Sequence, residues 1–375
     1  MQNRDVEVSV VLPSKNEKET IDICISKIKK VFDSENIAGE IIVADNSIDE
    51  TPIIAKDRGA DVITPDRHGY GYAYRYAFKY LKEKYGKYPR YVVIGDADNT
   101  YDFMEMPKLL KPLIEDEADL VIGSRFKGKI EKGAMPWHHK WIGNPLLTKF
   151  LNLFFKAGVS DAHSGFRAIK GEVLEKLDLK TNGMEFASEM IIEAARKGLR
   201  IKEVPISYYR RRNEDSKLSS FSDGWRHLKF MLINAPAYLF TYPGLAFLFV
   251  GLFLMFSAFL NIGNGFVFGT HSMIAGSLLI IAGYQIVFFG FFANIYERRG
   301  LPKFLTLEKG ATIGAVMCMF GAVYVLSSLF RWIYSGFKIL PSVEQDIMGF
   351  TFIVLGLQTF FSSFMLSIIS ERRNR

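Results

Sequence analysis

Apolar residues are arranged along this chain in two ways. Up to about residue 230 they fall in short, often β-branched runs, separated by stretches where they recur every three or four positions. The short runs predict buried strands at 6–12, 40–44, 61–63, 91–94, 120–123 and 201–208. The periodic stretches predict helices over 18–32, from 53 onward, and over 69–84, 108–114 and 185–197. Strands alternating with helices imply an α/β domain whose mostly parallel sheet is covered on both faces. Beyond residue 230 the runs lengthen, at 239–260, 273–292, 311–333 and 347–369. Each is about the length that a helix needs to cross a bilayer. Two domains are therefore expected, 1–230 and 231–375, the second with four transmembrane helices.

Lysine and arginine orient those spans. Arg210, Arg211, Arg212, Lys217, Arg226 and Lys229 precede the first, and the connection 261–270 has none. Arg298, Arg299, Lys303 and Lys309 flank the second connection, only Arg331 and Lys338 the third, and Arg372, Arg373 and Arg375 end the chain. This pattern puts the first domain, the second connection and both termini on the cytoplasmic side of a cell membrane. The spans carry almost no ionisable side chains, which favours a scaffold around a lipid tail over an ion path. Residues 135–157 differ in kind: Trp137, Trp141, Leu146, Leu147, Phe150, Leu151, Phe154 and Phe155 alternate with His138, His139, Lys140, Lys149 and Lys156. That mixture predicts helices lying in the membrane interface; the alternative is an ordinary core-packing helix.

The net charge of +7 is too small and too dispersed for a nucleic-acid partner. Cys24 and Cys318 fall in different regions and suggest neither a disulfide nor a zinc site. The chain starts polar and enters a strand directly, so no signal peptide is expected.

Candidate chemistry gathers where ligands bind in such sheets, beyond the carboxyl ends of the strands. Three polar clusters sit there, at 13–17, 45–51 and 96–102. Strand alternation would turn Asp96 and Asp98 the same way. Two such carboxylates repel unless a positive charge lies between them, and a hard divalent cation, Mg2+ or Mn2+, itself ligated by a diphosphate, answers that need. The plain alternative is a polar turn after a strand. Asp102, three residues before Glu105, looks like a capping box rather than a metal ligand. The 45–51 cluster also suits an Asx-capped helix start.

The runs Val11-Leu12-Pro13-Ser14-Lys15-Asn16-Glu17, Val43-Ala44-Asp45-Asn46-Ser47-Ile48-Asp49-Glu50-Thr51 and Gly95-Asp96-Ala97-Asp98 together resemble the nucleotide-sugar half of a family 2 glycosyltransferase, with its Rossmann-like GT-A fold. Gly123-Ser124-Arg125 and Asp161-Ala162-His163-Ser164-Gly165-Phe166-Arg167 resemble the polyprenyl-phosphate members, and Arg211 followed by Ser216-Lys217-Leu218 resembles the dolichyl-phosphate mannose synthase group. The resemblance implies that Pro13, Asn16, Glu17, Asp45, Asn46, Gly69 and Ala97 lie at the nucleotide sugar. It implies that Asp96 and Asp98 hold ribose, diphosphate and metal, with Asp98 catalytic. Asp161 would stand at the acceptor, either as a general base or only to orient it, since a phosphate acceptor is already ionised. Arg125, Arg167, Arg211 and Lys217 would bind phosphates of acceptor or donor. His163 and Glu189 are further candidates at the acceptor end.

Each residue also has a plainer reading. Arg125 could be a surface arginine, Asp161 and Arg167 an ion pair, His163 a wall residue, and Glu189 a solvated acid. Residues 210–212 could form a basic patch meeting anionic lipid. Thr100 stands where these members often carry Gln, and Glu214 where they usually carry Gly.

The implied reaction passes a hexose from a UDP- or GDP-hexose to dolichyl or undecaprenyl phosphate at the cytoplasmic membrane face, inverting the anomeric centre. A processive polysaccharide synthase of the cellulose or hyaluronan kind is the first alternative. Arg331-Trp332 suits it, but Ser328 stands where its Gln belongs and the dipeptide falls on the outer side. A non-enzymatic lipid carrier is the second, and the intact Asp96, Asp98 and Asp161 argue against it.

Overall fold

The short apolar runs become seven strands of one sheet: β1 (Val8–Ser14), β2 (Gly39–Asp45), β3 (Asp61–Ile63), β4 (Tyr91–Ile94), β5 (Leu120–Ile130), β6 (Arg167–Lys170) and β7 (Ile201–Tyr208). Their spatial order is β3-β2-β1-β4-β6-β5-β7. The structure is a computed structural model and describes residues 6–211, 220–260, 268–296, 306–338 and 342–374. The chain divides into two units, Met1–Met231 and Leu232–Arg375.

Side chains alternate across the central strands with a period of two. Val8, Val10 and Leu12 of β1, Ile41 and Val43 of β2, and Tyr91 and Val93 of β4 join one core layer. Val11, Ile42, Ala44, Val92 and Ile94 join the other. The first layer is closed by α1 (Ile21–Ser34), α2 (Thr51–Asp57) and α4 (Met106–Ile114). The second is closed by α3 (Tyr70–Tyr85), α5 (Asn144–Phe155), α6 (Gly171–Leu174), α7 (Phe186–Arg196) and the end of α8 (Ser220–Ile233). Pro13 is tolerated within central β1 because the ladder to β4 ends at Val11, so no rung is broken on that side.

The sheet is mostly parallel, as expected, with β6 running antiparallel to both β4 and β5. One expectation needs correction. The capping box at 102–105 forms only by half. Asp102 accepts from the Met104 amide at 3.3 Å, but Glu105 turns away and accepts from the Ser207 amide of β7 at 2.6 Å. A neighbouring strand with an orphan N–H outcompetes the local cap.

The second unit contains α9 (Tyr242–Phe259), α10 (Thr270–Tyr296), α11 (Leu307–Tyr334) and α12 (Val343–Asn374). Four spans, Ala237–Phe259, Thr270–Tyr296, Leu307–Tyr334 and Val343–Glu371, are long and apolar enough to cross a membrane. Hydroxyl pairs join α10 to α12: Ser277 with Thr351 at 2.7 Å and Tyr284 with Thr359 at 2.6 Å.

Candidate active site

The polar clusters at the ends of β1, β2 and β4 are tied to one another. Asn16, in the left-handed region at φ +59°, accepts from the Ile48 amide at 3.0 Å, and its own amide donates to Ser47 Oγ at 2.7 Å. The Glu17 amide donates to Thr51 Oγ1 at 2.9 Å. Asp45 is buried, and its carboxylate accepts from Ser14 Oγ at 2.5 Å and from Ser47 Oγ at 2.6 Å. Asn46 donates to the Pro65 carbonyl at 2.8 Å. The Asx-type turn is therefore present, and it locks the loops at the sheet's edge.

β4 ends at Ile94, so strand alternation does not reach Asp98. A turn does the work instead, with Asn99 at φ +57°. Asp98 Oδ1 closes that turn, accepting from the Thr100 amide at 3.1 Å and its hydroxyl at 2.7 Å. Thr100, which stands where the polyprenyl-phosphate members often carry Gln, orients Asp98. Asp98 Oδ2 lies 3.1 Å from Arg211 Nη2, and the same nitrogen lies 2.9 Å from Glu17 Oε1. Asp96 Oδ1 accepts from the hydroxyl of the partly buried Tyr70 at 2.8 Å. Burial first, and the Asp98 charge second, push the Asp96 carboxyl up to about 7. The Ala97 carbonyl faces inward and accepts from the Cys24 thiol at 3.5 Å.

Gly165 belongs to the second motif and packs on this pair. A Cβ there would meet Asp96 Oδ2 and the Tyr70 hydroxyl, each at 2.9 Å. Gly69 starts α3 at φ +152°, where a Cβ would strike the Asn182 carbonyl at 2.4 Å. It thus serves the close approach of α3 to loop 180–183.

The acceptor-end assignments change most. Asp161 is paired with Arg125, not with Arg167. Arg125 Nε and Nη2 reach the two Asp161 oxygens at 2.8 Å each, and the Arg125 amide adds a bond of 3.0 Å. Burial raises the Asp161 carboxyl, but the Arg125 charge and hydrogen bonds outweigh it and hold it below the usual range. A carboxylate so committed is a poor base. Its fork also occupies the arginine expected to bind phosphate, and that guanidinium lies 5.2 Å from the Tyr208 ring centre. Arg167 is buried and donates to the carbonyls of Ser164, Ala187 and Ala162 at 2.8, 2.6 and 3.0 Å. It organises backbone rather than an anion.

Glu189 is likewise structural, accepting from the Lys180 amide at 2.8 Å and from Thr181 Oγ1 at 2.6 Å. The His163 ring meets His227 of α8 edge-on at 4.7 Å, and burial followed by the His227 charge push its pKa well below the ordinary value. Lys217 lies outside the described residues.

Two contributors were not expected from the sequence: Tyr70, in the first turn of α3, and Glu203, within the predicted strand 201–208. Glu203 Oε1 holds the amides of Ser160 and Asp161 at 2.8 and 2.9 Å, fixing the loop that carries the Arg125 partner. A lone acid within β7 was the available signal.

The segment 135–157 packs on the core through one face and leaves large apolar side chains exposed on the other. A π-helical turn, His139–Gly143, leads into α5, whose Leu147, Phe150, Leu151 and Phe154 pack on the core. Trp137 and Trp141 are 68% and 71% exposed, with Ile142, Leu146 and Leu153 also outside.

The donor chemistry at the sheet edge fits a hard divalent cation. Asp96 and Asp98 present carboxylate oxygens that repel each other, and Mg2+ is commonly held by one or two carboxylates plus substrate phosphates. Among the described residues no cluster of three or more His, Cys, Asp or Glu could hold a metal unaided. Substrate oxygens would have to complete the shell.

Residues 9–178 match the family described as Glycosyl transferase family 2, and residues 298–370 match the Glycosyltransferase family 2 C-terminal transmembrane region. A Haloferax volcanii relative, Low-salt glycan biosynthesis hexosyltransferase Agl6, is 46% identical over 375 residues, 97% of this chain and 89% of that one. The chain belongs to glycosyltransferase family 2. A second family relative, the Dolichyl-phosphate hexose transferase of Haloferax volcanii, is 33% identical over 220 residues, 58% of this chain and 89% of its own. Glucosyl-3-phosphoglycerate synthase from Mycobacterium tuberculosis, crystallised with Mn2+, UDP and glucosyl-3-phosphoglycerate, superposes with a TM-score of 0.48 and 26% identity, covering 61% of this chain and 79% of that one. The family 2 match lies within the first unit, with its mostly parallel sheet, which is therefore the catalytic unit, and the transmembrane-region match lies within the second, the membrane unit.

Proposed function

We propose that this glycosyltransferase passes a hexose from a nucleoside-diphosphate sugar to a polyprenyl phosphate at the cytoplasmic membrane face. The observation that carries the reading is the acidic pair at the carboxyl end of β4. Asp98 Oδ1 is tied into its own turn, and Asp96 Oδ1 is held by Tyr70. Each carboxylate is thereby oriented by one oxygen, and Asp98 Oδ2 lies 3.1 Å from the Arg211 guanidinium. Hexosyl transfer and a lipid acceptor are supported by the names of the two Haloferax relatives.

In this reading an oxygen of the lipid phosphate bonds to the anomeric carbon as the bond to the diphosphate breaks, and the nucleoside diphosphate leaves with the electron pair. A divalent cation bound to Asp96 and Asp98 supplies charge stabilisation for that leaving group. The ordered loops at 13–17 and 45–51 supply a rigid wall for the nucleoside. No base is required, because the acceptor phosphate is ionised at neutral pH. Asp161 instead fixes Arg125 beside Tyr208, giving the acceptor end a defined shape. The exposed Trp137 and Trp141, with Lys140 and Lys149, suit contact with lipid headgroups.

The test incubates membranes containing the protein with radiolabelled UDP- and GDP-hexoses, with and without Mg2+ or Mn2+. Label entering the organic phase from one donor, dependent on the cation, is the expected result. Label in a water-insoluble polymer would favour the processive synthase, and lipid binding without any turnover would favour a carrier.

A further inference from the structure

The cation site and a side chain of the protein compete for one oxygen. Asp98 has its Oδ1 committed to Thr100, so Oδ2 is the atom left to ligate a metal. Arg211 Nη2 sits 3.1 Å from that oxygen. A divalent cation bound there would face the guanidinium charge at close range, and the repulsion between the two positive charges weakens the hold of Arg211 on Oδ2. We propose that Arg211 is an exchangeable counter-cation of the site: it neutralises Asp98 until a divalent cation displaces it, and it then serves the incoming diphosphate. The proposal rests on the reading of Asp96 and Asp98 as metal ligands.

Two features favour exchange over a fixed ion pair. The Arg211 side chain is 30% exposed, against 7% for Arg125 in its pair with Asp161. Pairs open to solvent are weak and replaceable, whereas buried ones are costly to break. The same Nη2 also holds Glu17 Oε1 at 2.9 Å. Release from Asp98 therefore leaves the guanidinium tethered at the mouth of the site.

This arrangement couples the two ligands. A cation alone must expel Arg211 from Asp98 and leave it without that anionic partner. A cation arriving with a diphosphate brings the displaced arginine a new one. Metal and nucleotide should therefore bind cooperatively, each tightening the other by the same factor.

The experiment titrates Mn2+ into the purified full-length protein, read by electron paramagnetic resonance, with and without UDP. Wild type, Arg211→Ala, Arg211→Lys and Asp98→Ala are compared. Arg211→Ala is expected to bind Mn2+ alone about tenfold more tightly than wild type, since a nearby positive charge has been removed. The gain in Mn2+ affinity on adding UDP should shrink in that variant, and Arg211→Lys should fall between the two. Equal or weaker Mn2+ binding by Arg211→Ala overturns the exchange while leaving the metal assignment intact. If wild type binds no Mn2+ even with UDP, or Asp98→Ala binds as wild type does, the metal assignment itself falls and the exchange with it.

Discussion

Gly165 of the catalytic unit and the paired glycines of the membrane unit make room for different things. In the catalytic unit Gly165 makes room for polar atoms, the Asp96 carboxylate and the Tyr70 hydroxyl. In the membrane unit glycines make room for backbone. Gly244 and Gly251 of α9 lie against the carbonyls of Gly283 and Gly276 of α10, where a Cβ would come within 2.8 and 2.7 Å. Gly314 and Gly321 of α11 repeat this against Gly356 and Gly349 of α12, at 2.7 and 2.6 Å. Both helix pairs thus use the same seven-residue glycine spacing, about two helical turns. Lipid tails are as apolar as leucine, so membrane helices associate through close packing rather than water exclusion. The catalytic unit has a hydrophobic core for stability and can commit buried charges to position.

The largest effect expected from this contrast is on the buried pair. Arg125→Met should destabilise the catalytic unit by about 3–5 kcal/mol, because it strands the Asp161 charge. Adding Asp161→Leu should restore most of that loss. Urea unfolding of the full-length variants would measure both; a double variant worse than the single would show that the pair is a net stabiliser and not chiefly a positioning device.

A matched pair of glycine substitutions sharpens the comparison. Gly276→Leu should lower the thermal midpoint in detergent through overpacking of about 1–3 kcal/mol, with UDP binding retained. Gly165→Ala should do the reverse, depressing transfer at least tenfold with a smaller change in midpoint, because one methyl group displaces Asp96. Equal effects on both readouts would erase the distinction.

The smallest effect belongs to the surface. Arg200 holds Asp119 through Nε at 3.1 Å and Nη2 at 2.8 Å, and its hydrogen bonds pull the Asp119 carboxyl down to about 2 against the opposing effect of burial. A depressed carboxylate stabilises the fold above its unfolded pKa and loses that contribution as pH falls through the folded value. Arg200→Ala should therefore lower the unfolding midpoint slightly near neutrality, and the difference should close as pH drops toward about 2. A gap that persists unchanged there would point to packing rather than charge.

Much of this architecture was legible because local and global signals agreed. Tyr91–Ile94, Asp61–Ile63 and Ile201–Tyr208 are short apolar or β-branched runs bounded by turn residues, and each forms the strand expected. Three of the four long runs fall within an apolar helix, and the first, 239–260, overruns its helix Ala237–Phe259 by one residue. β6 escaped because Arg167-Ala168-Ile169-Lys170 is four residues long with a charge at each end, and it sits directly behind a functional motif. Pairing was the least legible feature. Nothing local says that Asp161 prefers an arginine 36 positions upstream to one six positions downstream, and Arg211 meets Glu17 across 194 positions. Only the folded sheet, which brings the ends of β1 and β4 together with the end of β7, creates those contacts. The Asp98 turn shows the limit from the other side: strand alternation predicts that Asp96 and Asp98 point the same way, but β4 stops at Ile94.

The central claim is that Asp98 holds the cation on which transfer depends. It is tested most directly by measuring label transfer from the active nucleotide sugar into the organic phase, wild type against Asp98→Ala, across a Mn2+ titration after chelation. The account predicts that wild type is silenced by chelator and restored by Mn2+, while Asp98→Ala, correctly inserted, falls by about 100-fold or more at every concentration. Wild-type turnover by Asp98→Ala would contradict it.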